Sequence, residues 1–453
     1  MGERLIVIGG VAAGMSAASQ AKRRNKDLEV VVFERDPHIS YGACGIPYYL
    51  GDVIKDPNSL LVLPLEKARK ERGIDVRINH EVVELDAKNK KVKVLNKEEN
   101  KEFEMEFDRL VYTTGASPIR LNVPGGELEN IFYLRTLKDG LRIKQFLVEE
   151  KPRKAVLVGA GFIGLEVAEN LKRIGLDVTV IELLPHALGT MDPDISKIAT
   201  DEMEKNGVKF LFETKVEGFE GEDGKVKRVI TNNGTVEADF VLVGIGVKPN
   251  VELAKEAGIE LGETGAIKTN DYLRTNFHYI FAAGDCAEYK HRITGKPAFV
   301  PLALNANRSG RYAGANAAFD RDVEKFPGTL GSAVAKLFGV EIARTGLSTV
   351  EAERAGIDFE SVVITDHTQA GYYPTKEKIT VKLLAEKPSG RLIGAMLAGG
   401  KGTGLRIDVL ATALHNNMTI KELSEIDLAY APPFAPTWDP ILIAANVGKK
   451  KFR

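Results

Sequence analysis

The chain has 453 residues, with 62 Lys and Arg against 63 Asp and Glu and a formal net charge of -1. That length supports about three domains of roughly 150 residues each, and the balanced charge gives no general pull toward nucleic acid or an anionic membrane. The longest stretch without a charged side chain, Leu5 to Ala21, is 17 positions broken by Gly9, Gly10 and Gly14, short of the roughly 20 apolar residues a membrane helix needs.

Gly2-Glu-Arg4 runs directly into Leu5-Ile-Val-Ile, which predicts a first strand rather than a secretory leader. Leu5 to Ile8 and Val30 to Phe33 read as buried strands around a small-residue helix from Gly14 to Arg24, a βαβ unit. Arg77 to Glu106 alternates apolar and charged residues, as an antiparallel ribbon does. Thr113-Thr-Gly-Ala116 closes that region. The βαβ pattern recurs at Ala155 to Val158, Gly164 to Ile174 and Val178 to Ile181. A strand at Tyr279 to Ala283 and a helix around Arg308 to Ala318 suggest that the first unit resumes after the second is inserted. Strands at Val362 to Asp366, Ile379 to Leu384 and Leu392 to Leu397, then a helix from Arg406 to Asn416, predict a third, α+β domain. The expected division is 1–118 with 250–325, 119–249, and 326–453. Lys449-Lys-Lys-Phe-Arg453 reads as a frayed solvated tail, and no rhodanese-like domain is expected after the third.

Two cysteines, Cys44 and Cys286, are too few and too far apart for a disulfide scaffold or a paired-cysteine zinc site. The seven histidines have no ligand spacing, so no metal is expected, and free thiols suit a reducing cytoplasm.

Gly159-Ala-Gly161-Phe-Ile-Gly164 follows an apolar strand and opens a helix. There Gly159 permits a tight turn, Gly161 admits a pyrophosphate to the backbone, and Gly164 permits close helix-to-strand packing. Glu182 ends the next strand, 23 positions after Gly159, placed for a ribose diol and therefore favouring NADH, although His186 leaves NADPH open. The first loop, Gly9-Gly-Val-Ala-Ala-Gly14, has Val11 where the middle glycine would stand, and alone it admits both a nucleotide loop and plain packing. Glu34, 25 positions after Gly9, again suits a ribose. Ile280-Phe-Ala-Ala-Gly284-Asp285 puts an acid after a strand and a glycine.

That set, with Thr113 and Gly115, resembles the FAD-binding residues of the two-dinucleotide-fold flavoprotein reductases. The resemblance implies FAD on the first domain, Asp285 on its ribityl chain, and NAD(P)H on the second. Glu166 and Phe162, beside the nicotinamide loop, either shape the hydride-transfer side of the flavin or simply pack. Cys286, inside Gly-Asp-Cys, reads as packing.

Ser40-Tyr-Gly-Ala-Cys44-Gly-Ile-Pro-Tyr48 places a thiol ahead of a helix near Pro47, where a helix N-terminus is expected to lower its pKa. A second cysteine at a redox pair's spacing is missing, since position 49 is Tyr49. The whole resembles the single-cysteine branch of the pyridine nucleotide-disulfide oxidoreductases, most closely its coenzyme A-disulfide reductases and NADH oxidases. Gly10-Val11-Ala12 stands where the oxidases carry a histidine, favouring the former. The resemblance implies two dinucleotide-binding domains, a C-terminal dimerisation domain, and a homodimer whose partner supplies Tyr430 and Tyr372, with Tyr373 the alternative. It also places Arg23, Ser40, Asn305 and Arg308 near a coenzyme A channel. The implied activity is NAD(P)H-dependent reduction of coenzyme A disulfide through a Cys44 mixed disulfide. Sulfur, polysulfide or persulfide reduction, NADH oxidation, and electron transfer to a protein acceptor stay open.

Overall fold

The computed structural model describes residues 2–452. Two parallel five-stranded sheets dominate it. In the first, Ile280–Ala282, Arg109–Tyr112, Arg4–Ile8, Glu29–Phe33 and Asp75–Arg77 lie side by side. In the second the order is Lys209–Leu211, Asp177–Ile181, Lys154–Val158, Phe240–Val243 and Ile131–Tyr133. Each sheet has its earliest Val/Ile-rich strand near the middle, so the chain winds outward to both sides and opens a crevice at that strand's carboxyl end. The third sheet is antiparallel, ordered Ala333–Leu337, Val340–Gly346, Leu392–Gly399, Lys378–Glu386 and Phe359–His367. The fold is α/β with two dinucleotide folds and an α+β C-terminal domain, as the sequence predicts.

Several details differ. Asp75–Arg77 joins the parallel sheet, and the antiparallel ribbon proper is His80–Asp86, Lys91–Asn96 and Lys101–Glu106. A second such ribbon, Val216–Glu222, Lys225–Thr231 and Gly234–Glu237, escapes the periodicity reading. Its signal lies in the Asp223-Gly224 and Asn233-Gly234 turns, where Asp223, Gly224 and Gly234 adopt positive φ. Residues 449–452 of the C-terminal tail are docked rather than frayed, and Arg453 lies outside the described residues. Lys449–Phe452 forms a helical turn, Lys451 Nζ donates to Ser361 O at 2.7 Å, and Phe452 packs on the third core.

Connections between the first two units are short. Ala116–Pro118 pairs with Val247–Pro249, and Asn250 bonds Thr114 and Ser117 in three places. On the first sheet, helix Ala12–Arg24 crosses helix Ala303–Ala317 at backbone distance. A Cβ on Gly310 would lie 2.3 Å from Ala13 O and one on Gly314 would lie 2.2 Å from Ala17 O. Only a hydrogen side chain fits there. Gly310→Ala is therefore expected to destabilise the protein by about 1–3 kcal/mol, the usual cost of overpacking, seen as a lower urea midpoint. An unchanged midpoint would mean that the crossing can open.

Candidate active site

The helices Ala12–Arg24 and Phe162–Arg173 begin without a capping side chain, on Val11 and Gly161, and with no acidic residue in the first turn. Helices at Thr136, Ser348 and Thr419, by contrast, close their first turn with capping boxes. The two uncapped ends retain free amides and the positive end of a helix dipole, which is what a pyrophosphate needs. Their loops are built alike. Gly9 N donates to Phe33 O and Gly159 N to Ile181 O, each at 2.8 Å, with φ of +100° and +102° that only glycine holds easily. A Cβ on Gly14 or Gly164 would fall 1.7 or 2.3 Å from the carbonyl of Gly9 or Gly159, whereas the hydrogen of Gly161 faces open space.

The strand-end carboxylates match too. Gly10 N and Asp36 N donate to Glu34 at 2.6 and 2.9 Å, while Ala160 N and Leu184 N donate to Glu182 at 2.6 and 2.8 Å. Held this way, each carboxylate keeps lone pairs for a ribose diol. His186 Nδ1 instead bonds Ala187 O at 2.8 Å. Thr113 Oγ1 donates to Ile8 O and Gly9 O at 2.7 and 3.1 Å, so it braces the first loop, and Gly115 turns the chain away at φ +69°.

Gly284, at φ +83°, and Asp285 sit between the two small-residue helices. Tyr289 Oη donates to Gly284 O at 2.8 Å, and Ser309 Oγ accepts from Gly284 N at 3.1 Å, fixing the turn. Asp285 Oδ2 accepts from Arg135 at 2.6 Å, while its Oδ1 is buried without a protein partner. A buried acceptor left unpaired is costly, and a polyol hydroxyl would satisfy it. Sequence reasoning misses Arg135, because it lies 150 positions from Asp285 and no local motif links the two. FAD fits the first site on these observations, and a pyridine nucleotide fits the second.

Cys44 lies in the turn Ala43–Gly45, ahead of the five-residue helix Ile46–Leu50. Ser40 holds the approach to it in a left-handed conformation, φ 45°, with its N–H on Gly10 O at 3.0 Å. The cysteine is open to solvent, yet its thiol is pushed up, first by desolvation and second by Glu166. The expected depressed thiol is thus not found: the helix is too short for a strong dipole, and Glu166 and Asp285 outweigh Arg135. Glu166 accepts from Tyr48 Oη at 3.3 Å, and burial raises its carboxyl to about 7. Phe162, one turn earlier, packs partly buried on the second core. Cys286 is fully buried, its thiol directed at Ala283 O and Tyr112 O and raised by burial to about 11.

The structure separates the remaining candidates. Desolvation first, and then the charges of Arg311 and Arg72, lower the Arg23 pKa. Arg308 stacks over the Phe326 ring at 5.4 Å instead of joining that group. Asn305 is buried, donates to Val300 O at 3.1 Å, and leaves Oδ1 unpaired. Tyr372 and Tyr430 join through their hydroxyls at 3.1 Å, on an outward face shared with Phe434 and Trp438, all four 46–75% exposed. Tyr373 makes only a backbone turn, its N–H on Ala370 O. Among the described residues no cluster of metal ligands and no membrane-length apolar helix occurs.

Two dinucleotide loops of this build, each with its strand-end carboxylate, define a flavin- and nicotinamide-dependent oxidoreductase. Residues 3–310 match the pyridine nucleotide-disulphide oxidoreductase family model and residues 332–440 its dimerisation domain. The chain belongs to that family. It is 38% identical to the NAD(P)H coenzyme A polysulfide/persulfide reductase of Pyrococcus horikoshii and 37% identical to the NADH oxidase of Methanocaldococcus jannaschii, each over 99% of both chains. With the coenzyme A disulfide reductase of Staphylococcus epidermidis it shares 34%, over 97% of this chain and 98% of the other. The reduced Bacillus anthracis CoADR-RHD superposes with a TM-score of 0.96 at 35% identity, covering 99% of this chain and 80% of that one.

Proposed function

We propose that this protein uses NAD(P)H to reduce coenzyme A disulfide through Cys44 alone, working as a homodimer. The observation that carries the reading is a single solvent-open thiol between two dinucleotide sites, with the other cysteine sealed in the core. Gly9, Gly14, Glu34 and Asp285 would hold FAD, which when bound would supply two-electron chemistry between nicotinamide and sulfur. Gly159, Gly161, Gly164 and Glu182 hold the nicotinamide nucleotide. The Cys44 thiolate attacks one sulfur of the substrate, forming a mixed disulfide and releasing one thiolate; two electrons from NAD(P)H then free the second. Tyr430, hydrogen-bonded to Tyr372 at 3.1 Å, is suited to supply a proton to a departing thiolate. Both tyrosines face outward in one chain, so they serve the partner's Cys44 across the dimer axis.

Coenzyme A carries a 3'-phosphate and a pyrophosphate, and the Arg23, Arg72 and Arg311 group is the basic feature that suits them. Ser40 and Asn305, whose buried Oδ1 has no protein partner, complete the proposed channel, while Arg308, over the Phe326 ring, stands apart from the arginine group. Arg23→Ala is expected to raise KM for coenzyme A disulfide about tenfold, the worth of one charged contact, while flavin reduction by NADH stays unchanged. Steady-state and stopped-flow rates check this, and an unaltered KM would remove Arg23 from the channel.

The proposal is tested by anaerobic NADH and NADPH consumption with coenzyme A disulfide, counting released thiols. Two thiols per nicotinamide support it. None, with the flavin still reduced, overturns it. The full-length likeness to a polysulfide/persulfide reductase favours a second reading in which coenzyme A persulfide is the acceptor at the same sulfur; sulfide released from that substrate at a higher kcat/KM would establish it.

A further inference from the structure

Asp192 stands at the N-cap of helix Pro193–Lys205, where an aspartate usually closes the first turn, yet its side chain bonds none of that helix's amides. The buried carboxylate is spent on the C-terminal domain instead. Its Oδ1 accepts from Thr349 N at 3.0 Å and Thr349 Oγ1 at 2.9 Å, at the start of helix Thr349–Ala355, and its Oδ2 forms an ion pair with Lys382 Nζ at 2.8 Å. Lys382, 8% exposed in strand Lys378–Glu386 between the fully buried Val381 and Leu383, also donates to both oxygens of Asp194 at 2.9 and 3.0 Å. A lysine is seldom buried unless paired, and both partners here belong to the nicotinamide-side unit. Arg344 adds a bond to Thr190 O, and Met396 Sδ accepts from Asp192 N at 3.2 Å. Met396 and Ala398 share one apolar core with Leu157 and Leu188, so the two domains meet without a break.

The same segment reaches the second glycine loop four positions earlier. Leu188 N donates to Ala160 O at 2.8 Å, and Met191 N to Leu188 O at 2.6 Å. Ala160, between Gly159 and Gly161, is therefore held at its N–H by Glu182 and at its carbonyl by Leu188. Leu188 is buried at φ +51°, a conformation a leucine keeps only where its surroundings impose it. We propose that the C-terminal domain sets the shape of the nicotinamide loop, with Lys382 and Thr349 as positioning residues that act through Asp192 and Leu188 on Ala160. The proposal rests on the reading of Gly159 to Gly164 as the pyridine-nucleotide loop. With the clamp intact, the ordering of the loop is complete before the nucleotide arrives, and binding loses less entropy. With the clamp released, Leu188 relaxes from its left-handed backbone, Ala160 O loses its partner, and the nucleotide must order the loop itself. Affinity falls, while the rate of hydride transfer from the bound nucleotide does not.

The experiment is anaerobic stopped-flow reduction of the flavin in the full-length holoenzyme over a series of NADH concentrations, which yields an apparent Kd and a limiting rate. Lys382→Met removes the cation at similar length, and Thr349→Val removes one hydroxyl donor at similar shape. The Kd for NADH is expected to rise about tenfold in the first and about threefold in the second, with the limiting rate, the flavin content and the KM for coenzyme A disulfide unchanged. Gly161→Ala, which alters the loop directly, is the control. A Lys382→Met Kd equal to that of the wild type, beside a raised Kd in Gly161→Ala, overturns the proposal. So does a loss shared equally by NADH, flavin and the disulfide, which is what a purely structural ion pair would give. Should Lys382→Met fail to fold, Thr349→Val decides in the same way, an unchanged Kd overturning the proposal and a raised one supporting it. An unchanged Kd in Gly161→Ala would instead strike the reading of the loop itself, and the proposal with it.

Discussion

Cys44→Ser is expected to abolish disulfide turnover, by more than about a thousandfold, while leaving reduction of the bound flavin by NADH at its wild-type rate. The separation follows from the architecture. The nicotinamide site is built from Gly159, Gly161, Gly164 and Glu182 on a sheet of its own, and none of these residues contacts the sulfur through a hydrogen bond. A serine hydroxyl at position 44 cannot form a sulfur–sulfur bond. Cys286 cannot replace the lost thiol, because it is fully buried and its ionisation is raised to about 11. Stopped-flow absorbance of the flavin and a thiol count on the same preparation test both halves. Retained thiol release would overturn the single-cysteine mechanism.

The second large effect concerns the glycines of the two loops, which share a motif but carry different loads. Gly14→Ala would put a methyl 1.7 Å from Gly9 O and 2.8 Å from Thr113 Oγ1. Backbone must therefore move, opening the turn that Thr113 braces. The expected result is protein purified largely without FAD and less stable by about 3 kcal/mol, the upper part of the overpacking range. Gly161→Ala meets nothing within 4 Å. Its stability should change by no more than about 0.5 kcal/mol, but the methyl fills the open side from which an anion reaches the free amides. KM for NADH is expected to rise at least about tenfold. Flavin occupancy, urea denaturation and initial rates on the two variants separate these outcomes. Equal behaviour of the two would refute the distinction drawn between them.

The irregular first loop shows why the motif is legible despite Val11. At the N-cap Val11 has a negative φ of -97° and so does not need the left-handed backbone, whereas Gly9 at +100° and the crowded Gly14 demand glycine. The same logic makes Glu34 and Glu182 readable: a carboxylate at the end of the second strand lies beside the loop after the first strand through parallel register alone. Local spacing conveys such features because a βαβ unit fixes their distance.

Sequence by itself determined the three-part organisation, the two dinucleotide loops with their acids, and the lone thiol in its Ser40-to-Tyr48 segment, because each is encoded in neighbouring residues or in one supersecondary unit. Tertiary structure alone decided which cation faces Asp285, that Arg23 stands with Arg72 and Arg311 while Arg308 turns to Phe326, and that Tyr372 meets Tyr430. It also set what surrounds Cys44, whose thiol is pushed up by desolvation and by a carboxylate 122 positions away in the chain. Electrostatics and desolvation act through space and depend on what packs around a group, and neither motif spacing nor hydrophobic period records those neighbours.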